Sequence, residues 1–206
     1  MKEQQVGLET RTKFIRLMIT LILWNNFVAN VKPVFFTVWV FSNKGLSNLP
    51  RPTAKVSCKK KLKTFQIQEA LIGSGEDMTR LCDVYRPPYT GKARFTAAQF
   101  LEEFSDYLTD LQLKPGHPLL MSDFNFQVQD KDNFYAGKLL SLRDSMGFNQ
   151  LVPITPTHYR GLTLDLVLCQ KERVGVVKNV DVFPDRTSSD HSLVLAWLRC
   201  HPSDSV

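Results

Sequence analysis

The sequence predicts a layered α/β domain. Apolar runs of strand length alternate along the chain with two segments in which apolar residues recur every three or four positions. This alternation is typical of domains in which helices cover a sheet. The chain has 206 residues, of which 43% are hydrophobic and 22% charged, and these values are ordinary for a globular protein. One domain with an irregular extension accounts for this length.

The first regular element after residue 62 is predicted to be a β-hairpin. Residues 65–72 are rich in strand-forming side chains, and residues 73–77 have the Gly, Ser and Asp composition of a turn. A second apolar strand follows over residues 81–85 and stops before Pro87 and Pro88, which cannot donate to a strand ladder. The hairpin therefore places Tyr85 at the end of its second strand.

Two amphipathic helices are predicted after the hairpin. Thr96 and Gln99 have the spacing of a capping box, and apolar residues then recur at helical intervals as far as Leu111. The second helix covers residues 136–146 and ends at Gly147, the residue type that most often terminates a helix. Further strands are expected at residues 117–121, 163–169 and 192–198. Together these elements give the mixed order of strands and helices of a layered domain.

The N-terminal part differs in charge from the rest. Residues 1–80 hold 13 Lys and Arg against 5 Asp and Glu, a net charge of +8, whereas residues 81–206 carry a net charge of −2. We predict a diverged or poorly packed basic leader over residues 1–62, the domain over 63–200 and a tail over 201–206. The lysine-rich stretch 55–63 is interpreted as a solvated loop, with phosphate binding or nuclear import as alternatives. The apolar runs at 14–24 and 34–41 are shorter than the roughly 20 residues that span a bilayer, so membrane attachment is not expected.

Cysteine usage indicates the cellular compartment. Cys58, Cys82, Cys169 and Cys200 are far apart and form no Cys-x-x-Cys pair, which argues against a zinc ribbon and against a disulfide scaffold. The sequence also contains no Asn-x-Ser/Thr acceptor for glycosylation. We therefore expect reduced thiols and an intracellular location, in the nucleus or the cytoplasm.

Three polar clusters lie at or within predicted strands. Asp123 and Asn125 follow the strand 117–121, and Asp190 and His191 precede the last strand. Asp165 lies inside the strand 163–169, where an unpaired carboxylate is costly, so it requires a partner. His191 is the natural partner, because a carboxylate that accepts from one imidazole nitrogen orients the ring and raises its basicity.

Asp123 and Asp190 are then candidate oxygen ligands for Mg²⁺ or Mn²⁺, whose bound water attacks a phosphodiester. Each cluster alone has an ordinary structural explanation, since Asp-x-Asn is a common turn and an Asp-His pair before a strand is often a cap. The segment that begins at Asp123 is not a calcium loop, because Val128 and Phe134 stand where Gly and Glu are required. The functional interpretation therefore depends on the order and spacing of all three clusters.

Six motifs in this order resemble the endonuclease/exonuclease/phosphatase superfamily. They are VYRPP at 84–88, FLEEF at 100–104, SDFN at 122–125, PTH at 156–158, TLDLV at 163–167 and SDH at 189–191. In particular, residues 63–198 are similar to the endonuclease domain of LINE-type (non-LTR) retrotransposon polyproteins. The resemblance implies an α-β-β-α sandwich, incomplete here at the N-terminus, and Mg²⁺-dependent nicking of DNA without an organic cofactor.

The resemblance also implies roles for individual residues. Tyr85 resembles the tyrosine that contacts the scissile phosphate, Asp123 the acid that activates the attacking water, and Asn125 the amide that helps to hold both. Asp165 resembles the acid that orients the histidine. His191 resembles the histidine that stabilises charge on the phosphate in the transition state, which is usually the largest catalytic effect.

Asp190 resembles a metal ligand, but the second metal-binding acid of the family has no recognisable counterpart. Residues 1–62 contain Glu3 and Glu9 as their only acids, and neither lies in a motif. Ser122 also stands where the family usually has Gly. We therefore expect an endonuclease that uses Mg²⁺ or Mn²⁺ and has reduced or lost activity.

Two alternatives remain open at this point. The first is a non-catalytic nucleic-acid-binding or interaction module that retains a remnant of the fold. The second is a phosphoesterase for lipid or inositol phosphates, which the motifs at 84–88 and 163–167 favour less.

Overall fold

The computed structural model describes residues 15–23, 34–41, 55–73, 75–87, 95–153, 155–184 and 190–200. Side chains are described between residues 62 and 198 of these ranges, with the exception of Asp77. In chain order the strands and helices are β1 (Ile15–Leu23), β2 (Val34–Phe41), β3 (Lys55–Lys61), β4 (Gln66–Ile72), β5 (Thr79–Tyr85), α1 (Ala97–Gln112), β6 (His117–Asp123), α2 (Phe134–Ser145), β7 (Phe148–Gln150), β8 (Asp165–Gln170), β9 (Val177–Phe183) and β10 (Leu193–Cys200).

The strands form two sheets. The larger sheet has six strands in the order β3-β4-β5-β6-β8-β7, and the smaller has four in the order β2-β1-β10-β9. β5 and β6 are parallel, and α1 makes the crossover between them. The other neighbouring strands are antiparallel. Most side chains of the candidate site described below lie on the central strands of the larger sheet or just before β10.

Two hydrophobic cores separate the layers. The first packs α1 and α2 on one face of the larger sheet, with residues such as Phe104 of α1 against Val84 and Leu120. The second lies between the sheets and brings residues such as Met121 against Val194. Because successive residues of a strand point to opposite faces, strands buried on both faces read as continuous apolar runs. The predicted α/β sandwich is confirmed, with a helical layer and two sheets in the described part of the chain.

The local signals of the sequence give the expected hairpin and helices. β4 and β5 pair antiparallel, and a single 3-10 turn at Gly75–Asp77 lies between them. The capping box is complete: the Gln99 N–H donates to the Thr96 hydroxyl at 3.2 Å, and the Thr96 N–H donates to Gln99 Oε1 at 2.8 Å. α2 begins at Phe134, two residues before the predicted start, because the Asn133 side chain accepts from the Ala136 N–H at 3.0 Å.

The interpretation of residues 55–63 as a loop is wrong. β3 occupies Lys55–Lys61 and pairs antiparallel with β4 at the edge of the larger sheet. Lysine is common on edge strands because its charge discourages pairing with a further chain. A lysine-rich composition therefore does not distinguish an edge strand from a loop.

Backbone pairing joins both sides of the predicted boundary after residue 62. β1 pairs with β10 from Ile15 opposite Cys200 to Leu21 opposite Val194, and β2 pairs with β1. The boundary itself stays a prediction, and so does the poor packing expected over residues 1–62, because the side chains of residues 1–61 lie outside the described ones. The tail over 201–206 and the Glu3 and Glu9 positions also lie outside the described residues. Neither α1 nor α2 is long and apolar enough to cross a membrane, and the described ranges contain no other α-helix.

Candidate active site

Tyr85, Asp123 and Asp165 form a row across three neighbouring strands of the larger sheet. Tyr85 on β5 lies opposite Asp123 on β6, and Asp123 lies opposite Asp165 on β8. Directly opposed residues project from the same face of a sheet, so the three side chains share one face. Leu81 and Met121, an even number of positions earlier on β5 and β6, pack in the core between the sheets. The row therefore faces the smaller sheet.

His191 approaches this row from the segment before β10. Its Nδ1 donates to Asp165 Oδ2 at 2.9 Å, and its Nε2 lies 3.9 Å from Asp123 Oδ2. All three side chains are buried. The predicted hydrogen bond between Asp165 and His191 is confirmed, and the imidazole sits between two carboxylates.

The surroundings of His191 favour its protonated form. Burial alone would lower its pKa, because it disfavours the charged imidazolium. The hydrogen bond and negative charge of Asp165, together with the charges of Asp123 and Asp190, outweigh burial and raise the pKa overall. The ring therefore holds its proton at higher pH than an exposed histidine does.

The turn after β6 is locked by Arg86. Asn125 adopts the left-handed backbone region with φ of 51°, which Asn tolerates better than most residues. Its N–H donates to Asp123 Oδ1 at 3.0 Å, and its Nδ2 donates to the Arg86 carbonyl at 2.8 Å. Arg86 Nη1 donates to the Asn125 carbonyl at 3.0 Å, and the guanidinium lies 4.0 Å from the centre of the Phe126 ring. These contacts fix the Asp123 carboxylate and the Asn125 amide relative to each other.

Tyr85 and Asp190 lie at the edge of the cluster. Tyr85 is half-buried, and burial together with the charges of Asp123 and Asp190 raises the pKa of its phenol to about 12. The phenol is therefore neutral at physiological pH and can donate a hydrogen bond. The Asp190 side chain is 37% exposed. The structure thus brings together the six predicted site residues, which are Tyr85, Asp123, Asn125, Asp165, Asp190 and His191.

His158 was part of a motif in the sequence but carried no predicted role. It forms a bridge with His191 in the backbone, and its Nε2 lies 3.6 Å from Asp190 Oδ2. Burial and the charge of His191 lower its pKa, although Asp190 acts in the opposite direction. His158 is therefore a second imidazole at the site, and the PTH motif was the signal for it.

Thr157 connects the strand that carries Asp165 to the segment that carries His191. Its buried hydroxyl accepts from the N–H groups of Leu164 and Asp165 at 2.9 and 3.0 Å. Its carbonyl accepts from the Ser192 N–H at 2.7 Å. One residue thus sets the relative position of β8 and the start of β10.

Asp83 is a buried acid that the sequence analysis did not single out. It lies two residues before Tyr85, on the same face of β5, and it is 5% exposed. Its Oδ1 has no hydrogen-bond partner among the described residues, and burial with the charge of Asp123 raises its pKa to about 8. An acid inside the apolar run 81–85 is the same signal that identified Asp165.

Two groups of side chains could hold a metal ion. Asp123, Asp165 and His191 form one, and His158, Asp190 and His191 form the other; in each, the ligand atoms lie within 4.8 Å of one another. Among described residues, no acid earlier in the chain than Asp123 joins either group. Glu69 is bound to Arg80 and Lys114 instead, at 2.7 Å each.

Comparison with solved structures identifies the fold. The endonuclease domain of TRAS1, a telomere-specific non-LTR retrotransposon, matches 90% of this chain and 80% of its own, with 15% identity and a TM-score of 0.57. The AP endonuclease LMAP from Leishmania major matches 65% of this chain and 54% of its own, with 14% identity and a TM-score of 0.52. The chain has the endonuclease/exonuclease/phosphatase fold.

The predicted superfamily resemblance is confirmed at the level of this fold. No family model matches the sequence, and no curated protein matches it either. In an endonuclease/exonuclease/phosphatase fold, function depends on the side chains at the site rather than on the architecture. The roles expected for the six site residues therefore stay predictions.

Proposed function

We propose that this chain is a retrotransposon-derived DNA endonuclease domain that hydrolyses phosphodiester bonds with the aid of a divalent metal ion. The observation that carries the proposal is the row of Tyr85, Asp123 and Asp165 with His191 bound to its last member at 2.9 Å. In this proposal Asp123 acts as the base, Asp165 orients His191, and His191 acts as a protonated imidazole.

The donor set fits a hard divalent ion. Asp123, Asp165 and Asp190 bring three carboxyl groups close to His191, and the Oδ1 atom of Asp165 has no hydrogen-bond partner among the described residues. Such a concentration of acids is costly without a compensating cation. Asp190 would hold Mg²⁺ or Mn²⁺, which would supply positive charge to a phosphate oxygen and acidify water.

In the proposed reaction the chain's own residues move protons and stabilise charge. Asp123 accepts a proton from the attacking water as the water oxygen bonds to phosphorus, and Asn125 positions that water. As the ester P–O bond breaks, the leaving oxygen takes a proton from solvent, while His191 and the Tyr85 phenol each donate a hydrogen bond to a phosphate oxygen. Asp165 keeps the imidazole oriented and charged.

The neighbours support DNA as the substrate. The named activities of the two similar structures are those of endonucleases, one from a non-LTR retrotransposon and one an AP endonuclease. DNA is therefore the proposed partner, and the proposed location is the nucleus or the cytoplasm, where such a substrate occurs. The chain's identity to both neighbours is low, so target preference is not transferred.

Activity is expected to be slow. A Mg²⁺ site held through few carboxylates loses much of its affinity when one is missing, and the described residues before Asp123 contribute no acid to either metal-ligand group. Catalytic groups that act as a unit commonly lose orders of magnitude in rate when one is removed. Raised Mg²⁺ or Mn²⁺ should compensate in part.

The test is nicking of supercoiled plasmid by the full chain, with and without Mg²⁺. We expect metal-dependent nicking that is lost in Asp190→Ala and retained in the control Asp106→Ala, whose side chain is exposed on α1. DNA binding without metal-dependent nicking would refute the proposal and would support the non-catalytic binding module.

A further inference from the structure

Two imidazoles and one carboxylate gather at the edge of the site. The Nε2 of His158 lies 3.6 Å from Asp190 Oδ2, and the rings of His158 and His191 are 5.0 Å apart and nearly perpendicular, at 82°. One ligand atom from each of the three residues lies within 4.8 Å of the others. We propose that His158, Asp190 and His191 form a site for a divalent ion that prefers imidazole nitrogen, such as Zn²⁺.

The chemistry of the three ligands separates this site from a magnesium site. Imidazole nitrogen suits Zn²⁺, Co²⁺ and Ni²⁺, whereas Mg²⁺ prefers oxygen ligands and keeps several waters. Two histidines and one carboxylate form a common ligand set of zinc sites that keep a fourth position open. Asp190 and His191 also belong to the proposed nuclease site, so this inference concerns the metal preference of that site and rests on its geometry.

The residues around the ligands hold them in place. Asp165 accepts from His191 Nδ1 at 2.9 Å, which leaves Nε2 as the ligand atom and increases its basicity. The Tyr159 N–H donates to the Asp190 carbonyl at 2.9 Å, and the His158 N–H donates to the Leu162 carbonyl at 2.9 Å. The turn that carries His158 is therefore fixed to the segment that carries the other two ligands.

Binding requires a proton change at each histidine. His191 releases its Nε2 proton to solvent when a metal ion binds there, and His158 changes its tautomer. Its Nδ1 accepts from the Arg160 N–H at 3.3 Å, which places the proton of the neutral ring on Nε2. When a metal ion binds Nε2, that proton moves to Nδ1. The Arg160 N–H then donates its hydrogen bond to water instead of to His158. This change is inexpensive because Arg160 lies on an exposed turn and the contact is long.

The test uses Co²⁺ as the probe, because its visible ligand-field bands report nitrogen and oxygen ligands directly. The full chain, without a histidine tag, should bind one Co²⁺ with such bands, and Zn²⁺ should displace it while a large excess of Mg²⁺ should not. His158→Ala and His158→Gln should weaken binding strongly, and Asp165→Asn should weaken it about 10- to 100-fold. The control His117→Ala, at the opposite end of β6, should bind like the wild type.

The outcomes separate this proposal from the proposed function. Equal Co²⁺ binding by folded His158 variants and the wild type would overturn the proposal, and so would displacement of Co²⁺ by equimolar Mg²⁺. Circular dichroism on both His158 variants establishes that they fold. Co²⁺ binding that depends on His158 in a chain that never nicks DNA would support this site and refute only the nuclease.

Discussion

His191 Nδ1 lies 2.9 Å from Asp165 Oδ2, and this contact joins the two sheets of the protein at the candidate site. Asp165 is the first residue of β8 in the larger sheet, whereas His191 lies two residues before β10 in the smaller one. The hydrogen bond therefore depends on correct packing of one sheet on the other. It also makes the charge on His191 a property of the folded protein.

Replacing Asp165 with Asn should reduce catalysis through His191. The charge of Asp165 raises the pKa of His191, so Asp165→Asn should lower that pKa. If the imidazolium is the active form, the high-pH limb of the rate profile moves to lower pH, and the nicking rate falls roughly 10²- to 10⁴-fold. The measurement is the nicking rate as a function of pH.

Asp110→Asn is the matched control, because Asp110 is exposed on α1. Its rate profile should coincide with that of the wild type. A profile of Asp165→Asn with an unmoved high-pH limb would show that His191 does not act as an imidazolium.

Thr157→Val should destabilise the fold by removing an acceptor for two buried N–H groups. The Thr157 hydroxyl accepts from the N–H groups of Leu164 and Asp165, and Val has the same shape without the oxygen. Leaving such groups unpaired costs about 1–3 kcal/mol. Urea unfolding should show this loss for Thr157→Val, little loss for Thr157→Ser, and a change within about 0.5 kcal/mol for Thr109→Val on exposed α1. Equal stability of the two Thr157 variants would refute the role of the hydroxyl.

Asp83 should make the stability of the wild type fall as pH rises. Burial and the charge of Asp123 raise its pKa from 3.8 to about 8, so between these values the folded chain holds a proton that the unfolded chain releases. Unfolding then releases a proton, and higher pH favours it. The Asp83→Asn variant has no ionisable group at this position. Its free energy of unfolding should therefore increase relative to that of the wild type as pH rises through this window.

Urea unfolding at several pH values measures this difference, with exposed Asp106→Asn as the control. The control should differ from the wild type by a nearly constant amount. A constant difference for Asp83→Asn as well would mean that Asp83 is ionised in the folded protein at neutral pH.

Glu69→Gln should be strongly destabilising at neutral pH. Glu69 is 2% exposed and pairs with Arg80 Nη1 and Lys114 Nζ, each at 2.7 Å. Removing one partner of a buried ion pair costs about 3–5 kcal/mol, because the Arg80 charge stays buried. Burial alone would raise the pKa of Glu69, but Lys114 and Arg80 bring it below 4.5. Its stabilising effect is therefore present above pH 4.5 and is lost as the pH falls further.

Comparing urea unfolding at neutral and acidic pH tests this prediction. The difference between Glu69→Gln and the wild type should shrink in acid, and exposed Glu102→Gln on α1 should change little at either pH. A difference that does not shrink in acid would show that packing, rather than charge, is lost.

The sequence indicated the elements whose signals are local. The capping box of Thr96 and Gln99 marks the start of α1, and the Asp165 carboxylate in an apolar strand correctly required His191 as a partner. The row of Tyr85, Asp123 and Asp165 depends on the register of β5, β6 and β8, which no local pattern specifies. The order of the polar clusters and motifs along the chain, rather than hydrophobic periodicity, was the reason for assigning these three residues to one site.

Other features depend on contacts that are distant in sequence. β3 was interpreted as a loop because its lysine-rich sequence lacks a clear alternation of apolar and polar residues. Its pairing with β4 at the sheet edge is a contact that local sequence does not indicate. Asp83 lies inside an apolar run as Asp165 does, but its lack of a hydrogen-bond partner among the described residues follows from the packing of the two sheets. His158 gains its place from the bridge to His191, which lies 33 residues further along the chain.

The central claim is that Asp123 and His191 act as one catalytic unit on a phosphodiester. The most direct test is the metal-dependent nicking rate of supercoiled plasmid by Asp123→Ala, His191→Ala and the double variant, each compared with the wild type. Groups that act as a unit have non-additive effects, so each single variant should lose nearly all activity and the double variant little more. Nicking by the double variant at the rate of the wild type would contradict the account, and so would two small losses that simply multiply.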